Sequence, residues 1–153
     1  MRTLLVLLAC LAVVTAAPAA DAPTGRLVKV LPFFLDQQGR IAKSPSLFDR
    51  DAYQAYLRDH TNEISAVRYD VLWKAAPAPG ENLRLAIELR GIGTNSAPRL
   101  QTLETNVPPG KHRHWTYLPL AGDDYKNFGW VVAWRARLWN GSQMLDEQKS
   151  FLW

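Results

Sequence analysis

A single cysteine, Cys10, stands in a chain of 153 residues. One thiol cannot close an intrachain disulfide, so the fold has to stand on its packed core rather than on crosslinks. Long apolar runs are scarce too: the longest, Leu4 to Val14, falls well short of the roughly 20 residues that a membrane-spanning helix needs. Charge of one sign is not concentrated. Lysine and arginine number 18 against 14 acidic residues, and the arginines mostly alternate with apolar residues, the pattern of a solvated sheet face rather than a nucleic-acid-binding stripe. Also missing are a glycine-rich phosphate loop and the glycine frame of a nucleophile elbow.

What is present begins with MRTLLVLLACLAVVTAAPAADAP. A charge at Arg2, an apolar run and then a small-residue stretch follow the order of a secretory signal. Residues 1–20 are therefore expected to be removed, placing the protein in a secreted or periplasmic location with no stable membrane span left. The alternative is a lipid anchor on Cys10, because Leu7-Leu8-Ala9-Cys10 resembles a lipobox. Against it, Cys10 would cut the apolar run in half. Residues 21–26 read as a linker and residues 27–153 as one domain, long enough to bury roughly two thirds of its unfolded surface. A 48% share of hydrophobic residues supplies the core for that.

Period-two alternation dominates the domain. LVKVLPFFL (27–35) is an edge strand, since Pro32 cannot donate a ladder hydrogen bond. VRYDVLW puts Val67, Tyr69, Val71 and Trp73 on one face, and LRLAIELRG does the same with Leu83, Leu85, Ile87 and Leu89. RLQTLETNV is a weaker strand, and HWTYLPL belongs at an edge because of Pro119. WVVAWRARLW and SQMLDEQKSFLW flank Asn140-Gly141, a hairpin signal. That turn predicts pairing of Trp139 with Ser142, Arg135 with Asp146 and Trp130 with Phe151. Trp130, Val132, Trp134, Ala136, Leu138, Leu145 and Phe151 then face the core. One segment breaks the alternation: SPSLFDRDAYQAYLRDH (44–60) reads as a helix over about residues 50–60. Ala52, Tyr53, Tyr56, Leu57 and His60 form its apolar arc, with Arg50, Asp51, Gln54 and Arg58 opposite. Asp49 is the expected N-cap, Phe48 and Tyr53 the hydrophobic staple, and Tyr56 a buried anchor. The fold class expected is mainly all-β: an antiparallel immunoglobulin-like β-sandwich with one short α-helix inserted near the N-terminus.

At the level of architecture this resembles immunoglobulin and fibronectin type III modules, without the paired cysteines of antibody domains. The stretch SPSLFDRDAYQAYLR and the closing SFLW also resemble exported bacterial proteins to which no role is assigned. Neither resemblance implies an activity.

Residues with reactive chemistry are dispersed. His112 and His114 share a strand face, but zinc wants three or four ligands, so a solvated loop is the expectation and no metal or cofactor is assigned. His60 reads as a histidine hydrogen-bonded near a helix end. Asp123 with Asp124, and Asp146 with Glu147, are sequence neighbours that point to opposite faces of a strand and cannot act jointly on one bond. No catalytic residue is expected, and the protein reads as a non-enzyme. Trp139, on the polar face of the hairpin, with Arg137 two residues away, forms the candidate ligand-binding pair; otherwise Trp139 packs under the loop of Tyr125 and Phe128. The expected function is an exported module that binds or scaffolds another molecule, most simply a protein. A glycan-binding module using Trp139 and Arg137 is the alternative, and a hydrolase with a site assembled from loops the third reading.

Overall fold

The computed structural model describes residues 23–76, 82–93, 95–107 and 114–153. Residues 1–20 and His112 lie outside them. Nine elements of four or more residues follow in order: β1 (Thr24–Asp36), α1 (Leu47–Asp59), β2 (Ile64–Ala76), β3 (Leu83–Ile92), β4 (Pro98–Val107), β5 (His114–Ala121), α2 (Gly122–Phe128), β6 (Trp130–Asn140) and β7 (Gln143–Lys149). β1 thus begins inside the stretch read as a linker. Two antiparallel sheets stack, one in the order β1-β2-β5 and the other β4-β3-β6-β7. The fold is the two-sheet sandwich that the alternation predicts. It differs from the constant-type immunoglobulin order in one strand, because β4 pairs with β3 instead of β5. Trp73, Val71, Leu83, Leu85, Ile87 and Leu89 are completely buried between the sheets, as strict period-two patterning requires.

Where the alternation misleads, a bulge is responsible. β6 pairs Ala133 with Arg90 but Val131 with Gly91, leaving Val132 as an extra residue that reverses the faces upstream of it. Val131 therefore packs against the core, while Trp130 and Val132, both expected inside, are exposed. The hairpin register also differs from the expected one. Asn140 pairs with Gln143 and Trp139 with Met144, and a second bulge then sets Leu138 opposite Asp146 and Arg137 opposite Glu147. The turn residues are Gly141 and Ser142, and Gly141 alone takes a positive φ, 54°, which is the glycine-first form of a two-residue hairpin turn. Arg135 consequently faces Lys149 rather than Asp146, and Phe151 is fully exposed.

Helix α1 starts a turn earlier than the wheel suggests. Ser46 is the N-cap, its hydroxyl accepting from the Asp49 N–H at 3.3 Å. Asp49 instead accepts from the Ser44 hydroxyl, and Phe48 is exposed, so no staple forms. Tyr53 and Leu57 pack with Ile64, Phe34 and Tyr125 at one end of the sandwich. Tyr56 meets that cluster only through its ring, stacked 5.9 Å from the ring of Tyr53. Its ring, 38% exposed, stacks on His60 at 3.9 Å and its hydroxyl donates to Glu63 at 2.6 Å. Tyr56→Ala is accordingly expected to cost only about 1 kcal/mol in a urea melt, the worth of an exposed stack and a surface hydrogen bond. A loss near 3 kcal/mol would show that the ring carries core packing.

Candidate functional site

The N-terminal half of β1 is tied to β7 by side chains. Asp146 accepts from the Leu27 N–H at 2.7 Å, and the Gln148 amide donates to the Leu27 carbonyl at 2.8 Å. Together they do for one residue of β1 what a paired strand would. Farther along, β1 faces the start of β6, where a cavity of about 180 Å³ opens between the sheets. Phe34 and Pro32 of β1, Val67 and Tyr69 of β2, Tyr125 of α2 and Trp130, Val131, Val132 and Trp134 of β6 contribute to its walls. Among the described residues, no charged side chain lines it.

The aromatic groups are held in fixed relation. The Trp130 ring sits 6.1 Å from Phe34, and Trp134 meets Tyr69 edge-on at 6.3 Å, both within the range of favourable ring pairs. Gly129 delivers Trp130 to this position. It ends α2 with φ of 81°, and a Cβ there would come within 2.3 Å of the Ile92 carbonyl, so only glycine lets the chain reverse against β3. Trp130 is 50% exposed and forms the rim, while Tyr69 forms the floor. Burial pushes the Tyr69 phenol far up, and that of Tyr125 up as well. Both stay neutral at ordinary pH. The slot therefore offers apolar contact and phenol hydrogen bonds, with no group poised for proton transfer.

Trp139 and Arg137 do meet on the outer face of the four-stranded sheet, but both are engaged there. Arg137 donates to Glu88 at 2.7 Å and to Glu147 at 2.9 Å, while Arg135 shares Glu88. Trp139 is half-buried, with the guanidinium of Arg84 at 5.4 Å and that of Arg137 at 6.0 Å from its ring. The same motif recurs one step along the sheet, where Arg90 and Arg135 lie 4.0 and 4.5 Å from the Trp153 ring. Trp139 does not pack under Tyr125 and Phe128, which belong with the core cluster. Its neighbour is Arg84, at the opposite end of β3 from the Phe128 contact with Gly91.

His114 heads β5 with its ring 6.1 Å edge-on to Trp73. Among the described residues, no three histidine, cysteine, aspartate or glutamate side chains gather as a metal set would, and no helix is long and apolar enough to cross a membrane. Compared with known protein families, curated proteins and solved structures, the chain matches none.

Sequence reasoning missed the slot because its walls come from four elements distant in the chain. The one available signal was the run of Phe33-Phe34 beside Pro32, more aromatic than an edge strand needs.

Proposed function

We propose that the protein is an exported, non-catalytic β-sandwich module that holds another protein by taking one apolar side chain of that partner into the slot beside Trp130. The observation that carries this reading is the cavity's size and lining. About 180 Å³ is below the roughly 300–1,000 Å³ typical of small-molecule sites, but close to the ~150 Å³ that accommodates a single benzene ring. Apolar anchors buried in pockets of this size, with an aromatic rim, are the usual centres of protein–protein contacts. Export rests on the N-terminal signal pattern. The glycan alternative loses ground because the Trp139 ring is flanked by Arg84 and Arg137, and Arg137 already donates to two carboxylates.

The test compares Trp130→Ala with Trp139→Ala in affinity capture from envelope extracts. A partner held equally by the parent protein and Trp139→Ala, and at least about tenfold less by Trp130→Ala, is the expected result for a rim anchor. Capture that ignores Trp130 removes the slot from the reading, and loss on Trp139→Ala together with fluorescence quenching by a soluble glycan favours the alternative.

A further inference from the structure

Among the described residues the sandwich has four strand edges, and three of them are interrupted. On β1, Asp146 and Gln148 occupy the backbone groups of Leu27, Pro32 removes a donor, and Gln54 of α1 occupies the backbone groups of Phe34. β5 carries Pro119. β7 is short, bulged at Leu145 and packed along β1. Such blocks are the ordinary defence of an edge against pairing with another chain.

Among the described residues, β4 has none of them along its middle. It runs beside β3 for ten residues, Pro98 opposite Ile92 through Val107 opposite Leu83, without a register break. Which of its residues face outward follows from the ladder. Ser150 bonds both backbone groups of Trp134, so Arg135 and Arg137 turn theirs toward Glu88 and Ala86. The odd residues of β3 then bond β4, and Leu100, Thr102 and Glu104 of β4 direct N–H and C=O away from the sheet. Leu100 is 79% exposed. The charge on Glu104 does not guard the edge, because Arg84 of β3 holds its carboxylate at 2.9 Å. Among the described residues, β5 approaches only the far end, where Thr105–Val107 line a groove with His114–Tyr117.

We propose that the free edge of β4 pairs antiparallel with β4 of a second copy, about a two-fold axis at Thr102. In that register Thr102 faces Thr102 of the second copy, a favourable cross-strand pair, and Leu100 faces Glu104 on either side. Sliding by one pair toward Glu104 brings the two copies of that carboxylate closer to opposition, whereas sliding the other way brings in Pro98, which has no N–H to donate. An odd slip would turn side chains to the wrong face. The register closes on itself, as a two-fold interface demands. The two four-stranded sheets become one of eight strands, and the slot beside Trp130, on a different face, stays open. This surface is independent of the reading given above for the slot.

Sedimentation of the purified protein over a wide concentration range is the test. The mass is expected to rise from monomer to dimer with concentration, and Thr102→Pro, which deletes an N–H that the β3 ladder does not use, should stay monomeric at every concentration with an unchanged melting temperature. Thr102→Cys, in a Cys10→Ser background, should crosslink with a short bifunctional thiol reagent, since hydrogen-bonded antiparallel partners lie about 5.5 Å apart at Cα. Arg99→Cys, off the axis, should not. A protein monomeric at all concentrations, or a dimer that survives Thr102→Pro, overturns the proposal; if Thr102→Pro does not fold, failure of Thr102→Cys to crosslink overturns it.

Discussion

Gln54→Ala is expected to lower stability by about 3 kcal/mol, the combined loss of three hydrogen bonds and of the cover they give to backbone groups at an edge. The Gln54 carboxamide lies flat against β1 like a short piece of strand. Its oxygen accepts from the Phe34 N–H at 2.8 Å, and its nitrogen donates to the carbonyls of Phe34 and Ile41, both at 2.9 Å. The residue is only 6% exposed. Gln54→Glu sharpens the test. A carboxylate still accepts from Phe34 but cannot donate, and it sets a charge against two carbonyl oxygens, so at neutral pH it should be at least as damaging as alanine. Urea melts of the two variants measure this. A loss below about 1 kcal/mol for both would mean that α1 is held by Leu57 and Tyr53 alone. Because Phe34 is also a wall of the slot, the same variants should weaken capture of the partner proposed above.

Gln54 also marks where sequence reasoning stops. A helical wheel sorts residues by polarity, and it puts Gln54 on the solvent side with Arg58. It cannot register a polar side chain buried because its amide satisfies main-chain groups of a strand twenty residues away. Tyr56 is the converse case, placed inside by the wheel and left outside because the helix rests on Leu57 and Tyr53. Strands fared better. The alternation of residues 67–73 and 83–89 is local, and period two has only one way to bury its apolar half. The extra residue at Val132 is not local: it depends on how Arg90 and Gly91 of β3 sit opposite, and it moves Trp130 from core to rim. The candidate pair divides along the same line. That Trp139 and Arg137 share a face was legible from their spacing, but Glu88 and Arg84, which engage them, come from a strand about fifty residues away.

Loss of the Asp36 charge should be the other large effect. Asp36→Asn is expected to cost about 3 kcal/mol at pH 7, the upper end for hydrogen bonds made to a charged group, since the carboxylate is buried while the Arg40 side chain paired with it is half exposed. The carboxylate is 2% exposed and fully employed. Oδ1 accepts from the N–H groups of Gln38 and Arg40, both at 2.9 Å, while Oδ2 accepts from the Arg40 Nε–H at 2.9 Å and the Tyr53 hydroxyl at 2.8 Å. Burial by itself pushes the carboxyl up. The backbone donor of Arg40, the Tyr53 hydroxyl, the Arg40 guanidinium and the Gln38 N–H outweigh it and hold the group at about 2, against an ordinary 3.8. Since the folded value lies below the unfolded one, the stability contributed by ionisation is complete above about pH 5 and is lost as the pH falls toward 2. An asparagine has no such proton to take up. The stability gap between the parent protein and Asp36→Asn should therefore be widest at pH 7 and narrow steadily through pH 4 to pH 2.5 in urea melts. A gap that stays constant over that range would place the cost in the shape of the turn at residues 36–40, with the charge contributing nothing.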